Sequence, residues 1–276
     1  MAERMVLITG CSSGFGLGIA QALAARGWTV LAGVRDPARA PAELASTRLL
    51  PLDLTDTTQI AAVAAGIERL DCLINNAGYA LNGPLASYGA VQMQQQMQVN
   101  VLGPALLTQQ LLPALAAARG RVINVSSLAG ELGLPMNSLY CASKFALEGL
   151  SESLRHELRP QGVQVALVEP GGFRTRFAAN MIWGERPLAA GGADARQLAA
   201  YRELQARMLA RPGNDPAAVV DAVVRLTELA TMPLRTRVGG DAKSTRWLRR
   251  WLPENAFTAL TGALFRRQLA SRRSRS

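Results

Sequence analysis

Short apolar runs that end in small or polar residues, alternating with stretches of helical period, constrain this chain most. Met5–Thr9 is such a run, and similar ones cover 28–34, 49–52, 72–74, 120–125, 163–168 and 234–238. Between them apolar residues fall at helical spacing, as in Ile19, Ala20, Leu23 and Ala24, in 58–70 and 91–115, and in Leu147, Leu150, Leu154 and Leu158. Runs this short and continuous suit strands buried on both faces. Their alternation with helices predicts an α/β domain with a parallel, doubly wound sheet. Ligands of such sheets bind beyond the carboxyl ends of the strands. Gly10, Arg35, Asp53, Asn75, Ser127 and Pro170 all fall at such ends.

The first strand end carries Thr9-Gly10-Cys11-Ser12-Ser13-Gly14-Phe15-Gly16, followed at once by a helical pattern. Glycines permit a tight turn and close approach of a pyrophosphate, and a helix N-terminus offers free N–H groups and a positive dipole end. Gly10, Ser12, Ser13, Gly14, Phe15 and Gly16 are therefore expected to hold a dinucleotide phosphate. The spacing is G-x-x-x-G-x-G, not G-x-G-x-x-G. At the second strand end an acidic residue would bind a ribose 2′-hydroxyl and an arginine would accept a 2′-phosphate. Arg35 stands there, while Asp36 precedes Pro37 and suits a turn. NADP(H) is expected over NAD(H), with NAD(H) still open. Asp53, followed by Leu54, would accept from an adenine amino group or cap the next helix through Thr55-Asp56. Asn75-Asn76-Ala77-Gly78 offers small residues against which a cofactor could lie, and amides able to tie strands together. Asn100, a poor helix former amid Val99, Val101 and Leu102, predicts a kink or a buried polar task.

Tyr140-Cys141-Ala142-Ser143-Lys144 opens another helix, and residues four apart share a helix face. A phenol stays protonated at pH 7, and a nearby cation favours the phenolate. At about 4 Å and an effective dielectric near 20, that attraction is at most roughly 4 kcal/mol. A phenol so placed could exchange a proton with a substrate oxygen near neutral pH. The stretch 174–211, with weak periodicity and Gly191-Gly192, is placed to cover a ligand as a lid does.

The apolar fraction of 49% is that of a folded chain, and 276 residues fit one domain, at 1–240, with an appendage. No run of eighteen uninterrupted apolar residues occurs, so no membrane span is expected, and the N-terminus does not read as a signal peptide. Cys11, Cys72 and Cys141 are widely spaced, which points away from zinc or disulfides and towards a reducing cytoplasm. Residues 241–276 hold nine Lys or Arg against Asp241 and Glu254, so +7 of the net +10 lies in this basic helical extension. Three readings stand for it: helices packed on the body with a solvated basic end, docking on anionic lipid through Trp247, Trp251 and the arginines, or nucleic-acid binding. No reading module accompanies the charge, so no nucleic-acid partner is expected.

The motifs Thr9-Gly10-x-x-x-Gly14-x-Gly16, Asn75-Asn76-Ala77-Gly78, Asn100, Ser127, Tyr140-x-x-x-Lys144 and Pro170-Gly171-x-x-x-Thr175 resemble, in their order, those of the short-chain dehydrogenase/reductases. The likeness covers roughly 5–240, and 134–150 looks most like the 17-beta-hydroxysteroid and retinol dehydrogenase branch. It implies a Rossmann-type fold and an NAD(P)-dependent oxidoreductase interconverting a secondary alcohol and a ketone. Tyr140 would be the general acid or base and Lys144 would lower its pKa and bind the nicotinamide ribose. Ser127, thirteen residues before Tyr140, would hydrogen-bond the substrate oxygen, and Asn100 would hold a relay water. Asn76, Ala77 and Gly78 would line the cofactor, and Pro170, Gly171 and Thr175 would flank its nicotinamide end. No metal is implied, and a homodimer or homotetramer is. Phe173, Phe177, Met181, Ile182 and Trp183 favour an apolar substrate. The rivals are a nucleotide-binding regulatory protein with little catalysis and a reductase held at a membrane surface by its tail.

Overall fold

The computed structural model describes residues 4–173, 181–209 and 215–270. Seven strands form one parallel sheet: β1 (Met5–Thr9), β2 (Thr29–Val34), β3 (Arg48–Pro51), β4 (Cys72–Asn75), β6 (Arg121–Val125), β7 (Gln164–Pro170) and β9 (Arg235–Val238). Their order is β3-β2-β1-β4-β6-β7-β9. Two-residue strands β5 (Leu81–Asn82) and β8 (Ile182–Trp183) make a separate parallel pair. The chain runs outward from β1 through β2 to β3, then crosses to β4 on the other side of β1. The crevice at that reversal is where a doubly wound sheet takes its ligand.

Strand alternation explains why the sheet is covered twice. Val6 and Ile8 join a core with α1 (Gly14–Ala24) and α7 (Ala217–Glu228). Leu7 between them joins the opposite core, with α2 (Thr57–Ala65) and α4 (Gly103–Ala118). Trp28 is buried beneath Arg4, whose guanidinium lies 4.5 Å from the ring centre. The fold is thus the expected Rossmann-type sheet.

Helical boundaries differ from the periodicity in three places. The expected helix over 91–115 is α3 (Ala90–Met97), a π turn (Gln98–Leu102) and α4. Asn100 sits in the π turn, so the poor helix former marks a real break. The combined run from Ala90 to Ala118 is long and apolar enough to cross a membrane, yet Leu107, Leu111 and Leu115 are buried in the sheet's second core. Helix α2 stops at Ala65 before Gly66, short of the expected residue 70. Asp56 caps it by accepting from the Thr58 and Gln59 amides at 2.9 and 3.1 Å. In 174–211 the described part holds β8 and a long helix α6 (Ala193–Leu209) that weak periodicity did not reveal. Helix α5 spans Ser138–Glu157, and after β9 come α8 (Gly240–Trp251) and α9 (Glu254–Ala270).

Candidate active site

Gly10 follows β1 with φ +73° and Gly14 opens α1 with φ +59°, a region that glycine enters without strain. A Cβ at Gly16 would strike the Gly10 carbonyl and the Asn76 amide. Asn76 explains the loop's shape. Its Nδ2 donates to the Thr9 and Gly10 carbonyls at 2.9 and 3.2 Å, and Thr9 Oγ1 accepts from the Asn76 and Ala77 amides. The side chain expected to meet a cofactor is therefore spent on clamping β4 to the glycine loop. Helix α1 has no side-chain cap and no acidic residue in its first turn, so its leading amides and positive dipole end face the crevice uncompensated. This glycine cradle and open helix end fit a pyrophosphate. Phe15 meets Phe173 edge to face at 5.9 Å, joining the loop to the chain beyond β7.

Arg35 is exposed at the end of β2, and Asp36 accepts from the Ala38 amide at 3.0 Å, the turn role expected of it. Arg39, also exposed and in the turn that Asp36 caps, is a cation that pattern reading missed. Asp53 Oδ1 takes the amide and hydroxyl of Thr55, both at 2.8 Å, so it closes a local turn while Asp56 caps α2. Leu54 is buried, and its carbonyl accepts from Gln98 Nε2 at 3.1 Å. Thr175 lies outside the described residues.

The first two turns of α5 bring Tyr140 and Lys144 to the ends of β4 and β6. Both are buried, at 8% and 4% exposure. Tyr140 is hydrogen-bonded to Ser127, whose Oγ also accepts from the Ala129 amide at 3.1 Å. Lys144 Nζ donates to the Val125 carbonyl at 2.8 Å and lies 5.9 Å from the Tyr140 ring centre. A Cβ at Gly78 would come within 3.8 Å of that nitrogen and 3.2 Å of Asn100 Oδ1, so the glycine keeps open the space beside them. The structure thus brings Ser127, Tyr140, Lys144, Gly78 and Asn100 together.

The electrostatics depart from the expectation that Lys144 pulls the phenol towards neutrality. Burial pushes Tyr140 up to about 12, only partly opposed by the Ser127 hydrogen bond. Burial also brings Lys144 down to about 8, opposed by Glu148 one turn along. The ammonium is turned to Val125, and for both groups loss of water is the largest cause of the shift. The amide of Asn100 is committed too. Nδ2 donates to the Tyr79 carbonyl and to Ser143 Oγ, both at 3.0 Å, and Oδ1 accepts from the Tyr79 amide at 3.2 Å. Its side chain thus anchors Tyr79, the residue after Gly78. Asn75 likewise ties strands, donating to Asn124 Oδ1 at 2.8 Å and Thr108 Oγ1 at 3.2 Å.

A buried ionic cluster behind the site went unseen in the sequence. Glu169, 1% exposed in β7 just before Pro170, lies between Arg235 and Arg237 of β9 at 3.3 and 3.0 Å. These nitrogens are poorly aligned for hydrogen bonds, so the attraction is mainly ionic. Arg235 also meets Glu148 at 2.9 Å, and Arg237 meets Glu131 at 2.5 Å. Burial, then Glu148 and Glu131, raise the Glu169 carboxyl above its ordinary range, and Arg237 and Arg235 oppose the rise. The only early signal was Arg235-x-Arg237, which alternation puts on one face of the strand. From the basic extension, Asp241 Oδ2 accepts from the Gly172 amide at 2.6 Å, and its carboxylate packs against Gly171.

The family model for short chain dehydrogenase matches residues 4–185. The 3-ketodihydrosphingosine reductase of Bacteroides thetaiotaomicron is 34% identical over 271 residues, which are 92% of this chain and 95% of that protein. The chain belongs to the short-chain dehydrogenase family. Human 17-beta-hydroxysteroid dehydrogenase type 1 is 41% identical over 198 residues, covering 66% of this chain and 60% of its own, in line with the branch that residues 134–150 resemble. A solved short-chain dehydrogenase from Burkholderia cenocepacia, in complex with NADP, superposes with TM-score 0.77 at 26% identity, over 94% of this chain and 97% of that one. As a short-chain dehydrogenase this protein is an oxidoreductase of alcohol and ketone groups. Its three cysteines are free and buried, and burial pushes the Cys11 and Cys72 thiols up to about 12.

Proposed function

We propose that this protein reduces an apolar ketone to a secondary alcohol with NADPH, Tyr140 giving the proton. The observation that carries this reading is the buried Ser127–Tyr140 hydrogen bond at the mouth of a crevice whose glycine loop fits a pyrophosphate. A phenol held up near 12 is protonated at neutral pH, the form a proton donor needs. When bound, the cofactor supplies the hydride; the chain supplies position and charge. Gly10, Ser12, Ser13, Gly14, Phe15 and Gly16 would take the pyrophosphate, Arg35 a 2′-phosphate, and Asp53 and Leu54 the adenine side. Ala77, Gly78, Lys144, Pro170, Gly171 and Thr175 would line the nicotinamide side, with Asn76 and Asn100 holding that wall in shape.

The apolar substrate is supported by what surrounds the phenol. Ala80, Ala129 and Cys141 pack around Tyr140, with Met181 against them. Met181 is fixed by the amides of Asn82 and Gln205, at 2.9 and 2.6 Å from its sulfur. Trp183, Tyr201 and Phe265 follow, in an edge contact of 6.3 Å and a tilted one of 6.1 Å. A relative named for a ketone of a long-chain base supports the same class. Buried, unpaired thiols suit a cytoplasmic setting.

Loss of NADPH absorbance with a panel of apolar ketones tests the reading; no turnover with any of them, while NADPH binds, would move it to a regulatory nucleotide-binding protein. For the cofactor, Arg35→Ala is expected to weaken NADPH binding by about tenfold or more, the worth of one charge-assisted contact. NADH binding should change little, and equal losses would assign NAD. A homo-oligomer is proposed through α5 and the π turn before α4, where Phe145 and Leu102 are exposed. Phe145→Glu should then lower the mass seen by light scattering, and an unchanged mass would place the contact elsewhere.

A further inference from the structure

We propose that the α8–α9 hairpin is a docking face for an anionic lipid bilayer. Trp247 and Trp251 are 63% and 68% exposed, although tryptophan is on average a largely buried residue. They stand four apart on α8 and so share one face. Helical spacing puts Lys243 and Arg250 on the same side, flanking the two indoles. Helix α9 repeats the arrangement with Leu260 and Leu264, both exposed and four apart, followed by exposed Arg266 and Arg267.

The hairpin's inner residues are already used. Ala242 and Phe257 are buried, Arg249 lies 5.8 Å over the Phe257 ring, and Phe265 meets Tyr201 of α6. The outward apolar side chains are therefore not a misplaced core. Indoles beside cations suit the headgroup boundary, where a ring sits at the interface and cations meet anionic headgroups. Charge argues against a second copy of the chain as the occupant. Residues 241–267 carry six Lys or Arg against Asp241 and Glu254, and two such faces would repel. The aliphatic Leu260 and Leu264 have no use on a phosphate backbone, whereas a bilayer takes both leucines and tryptophans. The same hairpin reaches the substrate side, because Phe265 contacts Tyr201, which accepts from Asn137 Nδ2 at 2.7 Å, three residues before Tyr140. A bilayer-held hairpin would thus set the apolar mouth of the site beside the phase in which an apolar ketone dissolves.

The test is co-sedimentation of the full chain with phosphatidylcholine vesicles and with mixed phosphatidylcholine–phosphatidylglycerol vesicles, with tryptophan emission read in parallel. Binding is expected on the mixed vesicles with a blue shift, weaker by about tenfold or more on phosphatidylcholine alone and weakened by salt. Trp247→Ser with Trp251→Ser should lose about tenfold or more of that binding with an unchanged melting temperature, since both residues are exposed. Equal binding to both vesicle types, no binding to either, or a double variant that binds like the parent would overturn the proposal. So would a concentration-dependent dimer that the double variant dissolves. None of these readouts depends on turnover, so docking and the proposed reductase activity stand or fall separately.

Discussion

Tyr140→Phe is expected to lower ketone reduction by about 10²–10⁴-fold, the usual worth of a positioned acid, with NADPH affinity kept within a few-fold. The change removes one hydroxyl and one hydrogen bond. Ser127 keeps its contact with the Ala129 amide, and the ring keeps its apolar neighbours Ala129, Cys141 and Met181. The fold should therefore survive, so lost turnover reports on the proton rather than on packing. Single-turnover kinetics with a bound-cofactor control makes the measurement, and undiminished reduction would refute Tyr140 as the acid. The reactions in the two directions should also differ in pH dependence. A phenol pushed up to about 12 by burial is protonated throughout the neutral range, so its supply of acid for reduction does not vary there. Alcohol oxidation needs the ionised phenol as base, and its rate should climb with pH.

The sheet could be read from the chain because each buried parallel strand is a short continuous apolar run, and strands such as 120–125 and 163–168 fall within one or two residues of their predicted ends. The glycine loop was legible for a similar reason: Gly10 and Gly16 are required by local backbone geometry and a close approach. What stayed hidden was set by distance in the fold. The amides of 75–76 were read as able to tie strands together, but not to what: Asn76 reaches Thr9 and Gly10, 67 and 66 residues away. Asn100 was rightly marked as a polar task in a helix, yet its partners Tyr79 and Ser143 belong to other elements. Glu169, Glu148 and Glu131 read singly as ordinary acids, and only the pairing of β7 with β9 sets Arg235 and Arg237 beside them. The upward shift of Tyr140 was missed because spacing along a helix shows adjacency but not burial, and here burial dominates.

Lys144 carries the second large expectation, which concerns stability and activity together. Its folded value of about 8 lies below the ordinary 10.5, because burial disfavours the ammonium and Glu148 only partly restores it. Between pH 8 and 10.5 the unfolded chain holds a proton that the folded chain has released, so stability rises with pH across that window. Below pH 8 both states are protonated, and the full cost of burying the charge is felt. A shift of this size corresponds to a cost on the order of 3 kcal/mol. Burial raises the Cys11 and Cys72 thiols, which act in the opposite sense above pH 9, the folded chain keeping protons that the unfolded chain loses. Comparison with Lys144→Met cancels them, because both proteins share those thiols. Denaturant unfolding of the cofactor-free proteins should show the parent gaining stability relative to the variant from pH 8 to 10, by on the order of 2 kcal/mol. Parallel pH profiles would mean that the ammonium is not held at a cost. The variant should also lose most turnover, since methionine offers neither charge nor donor beside Tyr140. The buried cation thus weakens the fold at neutral pH while its Nζ stands 5.9 Å from the Tyr140 ring centre.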